Sequence, residues 1–354
     1  MILKKIGMFV AAFVFVATAT ADTLEVNENH PQKYVVQKGD TLWDISAKFL
    51  KKPWYWPKIW NVNPQINDPH WIYPGDVLTL VWIDGQPYLK KAGPESVQLK
   101  DAPIPTIDAK KIKTFLKNDV ILPYDDDELA KLPFVLGANS ERDLLVETSN
   151  IFVKSKNALD KGQQYGVYHK GELYKDENGN KLGYKAEYVG SLVAGEAYPE
   201  KNLTKSLLVK NYSKGVRLGD YVLPYNIDTG FNLYFTPKAA TVDTTVVALG
   251  ESDVKYAGVY DTVILGKGAK DGVKPGDVFS LAAPGVQVVG TNSGNVQYES
   301  NATLGKSLVA KAENQLPDEV VGQAMVYRTY DKASLAIIMI SNGEVKKGYK
   351  AIRP

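Results

Sequence analysis

YVVQKGDTLWDISAKFL (residues 34–50) and NVNPQINDPHWIYPGDVLTLV (residues 61–81) are the two runs on which the reading of this chain turns. KKPWYWPKIW (residues 51–60) joins them. All six tryptophans of the chain, Trp43, Trp54, Trp56, Trp60, Trp71 and Trp82, fall in or just beyond this stretch. Lys33 to Gln37 is rich in Val and Tyr and reads as a strand. Lys38-Gly39-Asp40 ends it. Thr41-x-x-Asp44 is a capping-box pattern, and Leu42, Ile45 and Phe49 recur at helical spacing, so a helix follows. Pro53 stops that helix. Pro57 suits the first turn of a second, with Ile59, Trp60 and Val62 as its apolar residues, closed by Asn63-Pro64. Tyr73-Pro74-Gly75-Asp76 fits a type II turn, Pro second and Gly third. Val77 to Val81 is the last strand. The predicted order is strand, helix, helix, strand over residues 33–82.

Val36-Gln37-Lys38-Gly39-Asp40-Thr41-Leu42-Trp43-x-Ile45-Ser46, then Asn63-Pro64-Gln65-Ile66, then Ile72-Tyr73-Pro74-Gly75-Asp76-Val77-Leu78, resembles a LysM domain. The resemblance implies a βααβ fold that binds glycans containing N-acetylglucosamine, either peptidoglycan or chitin. It places the glycan groove between two loops, one holding Gly39, Asp40, Thr41 and Leu42, the other Pro64, Gln65, Ile66, Asn67 and Asp68. A shallow cleft of backbone N–H and C=O groups with apolar faces suits an N-acetyl sugar, and the first loop lies where a helix N-terminus offers free N–H groups. The competing reading is structural: Gly39 for its turn, Thr41 for the cap, Leu42 for the core. One departure stands out. Lys52 to Trp60 is bulkier and more aromatic than the usual start of the second helix, which would alter the edge of the groove.

The tryptophans divide by position. Trp43 follows Leu42 on the first helix and Trp60 lies in the second, so both are expected in the small core. Trp54, Trp56 and Trp71 flank proline turns. They are the candidates for partial exposure and for contact with a ligand or partner.

Outward from this module the character changes. At the N-terminus, Lys4 and Lys5 precede an apolar run from Ile6 to Val16, and Ala19-Thr20-Ala21 forms a small-residue cleavage site. Residues 1–21 read as a signal peptide cleaved after Ala21, giving export to a periplasm. The chain has no Cys, so neither a lipid anchor on cysteine nor a disulfide framework is expected. Losing Lys4 and Lys5 takes the formal charge from +2 to 0, which argues against a polyanion binder. No other stretch is long and apolar enough to cross a membrane as a helix.

Beyond the module, residues 83–106 are broken by Gly85, Pro87, Gly93, Pro94, Pro103 and Pro105. They read as an extended linker. Residues 107–225 read as a β-rich unit opened by a short helix, Asp125 to Leu132, with acidic residues in its first turn. Residues 226–256 read as a connector and 257–354 as a second β-rich unit. The two units resemble each other. Val189-Gly190, Ser206-Leu207-Leu208-Val209 and Tyr212-Ser213-x-Gly215 align with Val321-Gly322, Ser334-Leu335-Ala336-Ile337 and Ile340-Ser341-x-Gly343. Ile151 to His169 aligns more loosely with Val263 to Leu281. The expected fold class is α+β, a small βααβ domain followed by a mainly β region of two related barrel- or sandwich-like modules.

Signal peptide, single LysM, Pro-rich linker and β-rich C-terminal region together resemble the type IV pilus secretin-associated family. In that family the C-terminal part is related to a flagellar ring-associated domain. Leu132-Pro133-Phe134-Val135, Ile151-Phe152-Val153-Lys154 and Tyr165-Gly166-Val167-Tyr168 fit that pattern. The resemblance implies a peptidoglycan-binding adaptor that anchors an outer-membrane secretin complex to the wall. The modest affinity expected of one small module points to many copies arranged around that assembly.

Catalysis has little support in the residues. The three histidines, His30, His70 and His169, are scattered, and no H-x-H, H-E-x-x-H or G-x-S-x-G occurs. Without Cys there is no thiol peptidase. No cofactor, no metal and no nucleic-acid partner is expected. Asp176-Glu177-Asn178-Gly179-Asn180 lacks the full calcium-loop pattern and reads as a hairpin turn. Asp125-Asp126-Asp127-Glu128 reads as a solvated helix start. The alternatives to an adaptor are a peptidoglycan hydrolase, or a secreted binder of chitin or cell wall that uses the LysM for targeting.

Overall fold

The N-terminal module begins with β1 (Lys33–Val35), α1 (Leu42–Phe49), a 3-10 turn (Pro53–Tyr55), α2 (Trp56–Ile59) and β2 (Val77–Ile83). A computed structural model describes residues 24–60, 72–92, 104–105, 119–139, 144–212, 215–225, 236–251, 254–289, 296–298 and 314–354. The predicted signal peptide lies outside the described residues, as do residues 61–71 between α2 and β2. α1 presents Leu42, Trp43, Ile45, Ser46 and Phe49 to the interior. α2 is a single turn. Pro53 and Pro57 each sit at the start of a short helical segment, where the missing N–H costs no hydrogen bond, so the second helix starts twice.

The stretch read as linker departs from expectation. β3 (Gln86–Ala92) pairs with β2 along its whole length, from Val77↔Ala92 to Ile83↔Gln86. The sheet order is β1-β2-β3. Asp84 and Gly85 have φ of 51° and 76°, the left-handed pair of a two-residue hairpin turn. Pro87 is tolerated because β3 is an edge strand with one neighbour. Leu89 is fully buried and anchors the strand. Further on, Ile104 and Pro105 return to the module.

The next unit opens with β4 (Val120–Leu122) and α3 (Asp126–Leu129). α3 is the predicted acidic helix start, closed by a reciprocal capping box between Asp125 and Glu128. Then come β5 (Phe134–Ala138), β6 (Leu144–Leu145), β7 (Asn150–Lys154), β8 (Gln164–Lys175), β9 (Lys181–Tyr198), β10 (Leu203–Asn211), β11 (Val216–Arg217) and β12 (Tyr221–Pro224). β5-β7-β10-β9-β8-β12 closes on itself through the β12–β5 pairing, a six-stranded barrel. β6 and β11 form a small side ribbon. Ile151, Val153, Val167, Leu192, Leu208 and Val222 fill the barrel.

The second unit starts inside the stretch read as connector. β13 (Lys238–Ala239) and β14 (Thr244–Leu249) precede residue 257, and Thr-Thr-Val-Val-Ala-Leu is a β-branched run that belongs in a sheet. β15 (Thr262–Leu265), β16 (Asp277–Ala283), the insert β17 (Gln287–Val289), β18 (Gln297–Tyr298) and β19 (Asn314–Gln315), then β20 (Glu319–Thr329), β21 (Ser334–Ser341) and β22 (Lys350–Ile352) follow. β14-β15-β21-β20-β16-β22 closes into a second six-stranded barrel. Strand for strand this is the cyclic order of the first. The aligned stretches fall on equivalent strands: β7 with β15, β8 with β16, β9 with β20, β10 with β21, β12 with β22. Both copies need glycine at the same place. A Cβ at Gly190 would lie 2.4 Å from the Lys210 carbonyl oxygen, and one at Gly322 2.5 Å from that of Ile340.

The three units share apolar surface. The β8–β9 hairpin outgrows its barrel, and with β4 it lays Ile121, Tyr174 and Leu182 against Val247, Ile264 and Leu335 of the second barrel. The N-terminal module also rests on the second barrel. Val278, Met325, Ile337 and Met339 point out of that barrel and belong to one continuous apolar cluster with Leu42, Trp54, Trp56, Ile59 and Trp60. β13 lies against the Pro53–Tyr55 turn. β21 is therefore covered on both faces, which explains its unbroken apolar sequence Leu-Ala-Ile-Ile-Met-Ile. The module is docked as well as tethered.

Candidate functional site

Two turns of one design frame the site. In the first, the Asp40 N–H donates to the Gln37 carbonyl at 3.1 Å, and Gly39 has φ 96°. The Asp40 carboxylate accepts from the Gln37 N–H at 2.7 Å and from the Tyr34 hydroxyl at 2.8 Å. In the second, the Asp76 N–H donates to Tyr73 O at 3.0 Å, and Gly75 has φ 96°. The Asp76 carboxylate accepts from the Tyr73 N–H at 2.9 Å and meets Lys91 Nζ at 2.7 Å. The turns are laced together: Val36 N–H donates to Asp76 O at 2.9 Å, and Gly75 N–H to Val36 O at 2.8 Å. Burial, then the hydrogen bond to Asp40, pushes the Tyr34 phenol up to about 12.

The first loop continues into α1. Thr41 is buried in extended backbone, and its Oγ1 accepts from the Asp44 N–H at 3.0 Å. Leu42 is fully buried. Gly39, Asp40, Thr41 and Leu42 thus spend their side chains, or the lack of one, on the fold. What they offer outward is backbone. The Leu42 N–H, at the open end of α1, donates to the Pro105 carbonyl at 3.0 Å. Across from it, Ile72 O accepts from the Ile104 N–H at 2.8 Å. The second predicted loop, Pro64, Gln65, Ile66, Asn67 and Asp68, lies outside the described residues, as do Trp71 and His70.

Trp43 and Trp60 are each 3% exposed and belong to the core, where the pattern places them. Trp54 and Trp56 do not match the expected partial exposure. Each is 1% exposed, because the 53–59 segment is pressed into the apolar cluster shared with the second barrel. They are docking residues rather than groove aromatics. Trp82 was not singled out, and it is 59% exposed at the far end of β2. Its place two residues before the Asp84-Gly85 turn, where a hairpin outruns its core, was the available signal. Ile104 and Pro105 were also missed, because nothing local marks a dipeptide that bonds to positions so far away in the chain.

Elsewhere the polar clusters are structural. Asp176 Oδ1 accepts from the N–H groups of Asn178 and Asn180 at 2.9 and 2.7 Å, closing the β8–β9 hairpin. His169 Nδ1 lies 2.8 Å from Asp220 Oδ1, and Asp220 Oδ2 accepts from the Arg217 N–H at 2.8 Å. No group of three or more metal-ligating side chains occurs among the described residues. A cavity of about 180 Å³ lies between the barrels, lined by residues that include Ile121, Tyr174, Lys185, Thr262 and Tyr327. Its buried Lys185 ammonium is 3.0 Å from Glu187 and donates to Gly250 O at 3.3 Å, so the charge is paired.

The two laced Gly-Asp turns and the capped α1 all lie within residues 34–81. Residues 34–81 form a LysM domain. The LysM domain indicates binding to peptidoglycan or a related carbohydrate. A protein of Bacillus subtilis (strain 168) described as "Uncharacterized protein YqbP" is 41% identical over 64 residues. That similarity spans 15% of this chain and 29% of the relative. No helix among the described residues is long and apolar enough to cross a membrane.

Proposed function

We propose that this chain is a non-enzymatic, periplasmic adaptor that holds peptidoglycan through its LysM domain and a type IV pilus outer-membrane secretin through its barrels. The observation that carries the glycan half is the LysM domain at residues 34–81. Support for the machine half comes from the arrangement of the barrels. The outer face of β21 in the second barrel is occupied, with Ile337, 0% exposed, against the LysM domain and Leu335, 7% exposed, against β4 and the β8–β9 hairpin of the first unit. The equivalent residues of the first barrel, Leu207 and Val209, are 44% and 40% exposed. That open face is where the reading puts the secretin. One small domain holds its glycan weakly, so several copies around the secretin would supply the anchoring.

The test is a three-component sedimentation. Purified sacculi, detergent-solubilised secretin and the chain without its first 21 residues are mixed and centrifuged. The secretin is expected in the pellet only when the chain is present, with no muropeptides released, and Leu207→Asp should leave the secretin in solution while the chain still pellets. A secretin that stays in the supernatant overturns the adaptor. Digested sacculi replace it with a hydrolase.

A further inference from the structure

A dipeptide from further along the chain lies against the N-terminal end of α1. Ile104 donates its N–H to Ile72 O at 2.8 Å, and Pro105 offers its carbonyl to the Leu42 N–H at 3.0 Å. These two bonds connect the open end of α1 to the residue that leads into the second turn. The Ile104 side chain is 3% exposed and belongs to the same cluster as Leu42, Ile45 and Ile72. Proline at 105 leaves no amide hydrogen of its own to satisfy. The dipeptide presents a carbonyl acceptor, an amide donor and an apolar group. An N-acetylamino group presents the same three: a C=O, an N–H and a methyl.

We propose that Ile104–Pro105 is a built-in competitor for the glycan, occupying the N-acetyl position of the LysM groove until a wall glycan displaces it. The proposal rests on the glycan reading above. A strained or polar segment would leave the groove at once, but this one is held by two backbone bonds and a buried side chain. Because it belongs to the same chain, its effective concentration is high and independent of dilution. A site free in about one molecule in ten binds its ligand about tenfold more weakly than the open site would. Such a domain stays empty at low glycan density and fills where many strands are presented together.

The experiment titrates a tetramer of N-acetylglucosamine into the chain without its first 21 residues and into Ile104→Asp, while following backbone amides by NMR. Ile104→Asp places a carboxylate where an apolar side chain was buried, so it is expected to empty the groove and raise affinity about tenfold. In the unsubstituted chain, glycan is expected to shift the Leu42 amide and to speed hydrogen exchange at the Ile104 amide, which loses its acceptor. Should Ile104→Asp unfold the domain, Ile104→Ala keeps both backbone bonds and gives a smaller gain. Equal or weaker affinity in the folded variant, or glycan binding with Ile104 exchange unchanged, overturns the competitor and leaves the glycan reading standing. No binding by any of the chains overturns both.

Discussion

Gly39-Asp40 and Gly75-Asp76 show how a residue pair can be both signature and scaffold. The glycine takes the positive φ that a type II turn requires, and the aspartate closes the turn by accepting the N–H three residues back. The same device recurs where Gly219-Asp220 and Gly276-Asp277 lead into barrel strands, with φ of 85° and 93° and carboxylates that accept from Arg217 and Lys274 at 2.8 Å. Asp76 is 4% exposed, so Asp76→Ala strips the Tyr73 N–H and Lys91 of a partner in a buried place. Urea unfolding followed by tryptophan emission should show a loss of about 2–3 kcal/mol, the usual cost of removing a buried charged acceptor. Thr41→Ala should lose about 1 kcal/mol as an N-cap. Tyr34 gives a pH signature. Its folded pKa is raised from the ordinary 10 to about 12, so its stabilising contribution is intact below pH 10 and lost as pH rises toward 12. Tyr34→Phe should flatten that alkaline loss in a pH series of melting temperatures. These turns and the cap were legible in the sequence because each is complete within four residues.

Elements were legible where their pattern is local and missed where position matters more than pattern. α1 follows its cap and its apolar spacing. β3 was hidden by Pro87 and by the absence of a sustained apolar period, although Asp84-Gly85 after an apolar strand is a strong hairpin signal. Only the knowledge that β3 is an edge strand makes its proline harmless. Leu89 tests the assignment. Leu89→Ala should destabilise the domain by about 2–5 kcal/mol, the cost of emptying a buried leucine site. Lys90→Ala, on the exposed side of the same strand, should change it by under about 0.5 kcal/mol. Equal effects in thermal denaturation would return residues 86–92 to the status of a linker. β14 was missed for a related reason: the first strand of a barrel gains its register only from β15 and β22, both further along the chain.

At the scale of the whole molecule, the repeat within residues 134–354 could be read from aligned Gly, Ser and aliphatic positions, because two copies of one barrel share their close approaches. How the parts pack could not. The aromatic run from Trp54 to Trp60 resembles an exposed ligand surface when the LysM domain is considered alone, and becomes an interface once the second barrel is present. The repeat supplies its own control. Ile337 and Val209 are equivalent positions, 0% and 40% exposed. Ile337→Ala should cost about 2–5 kcal/mol, and it should separate unfolding of the LysM domain, seen by tryptophan emission, from that of the barrels, seen by circular dichroism. Val209→Ala should cost under about 1 kcal/mol and leave the two signals coincident.

The central claim is that the LysM groove holds wall glycan without cutting it. The most direct measurement is sedimentation of the chain without its first 21 residues with purified sacculi, over a series of soluble N-acetylglucosamine tetramer, with released muropeptides assayed in the supernatant. The account predicts that the chain pellets, that the tetramer returns it to solution, and that no muropeptides appear. A chain that stays in solution, pellets regardless of tetramer, or releases muropeptides would contradict it.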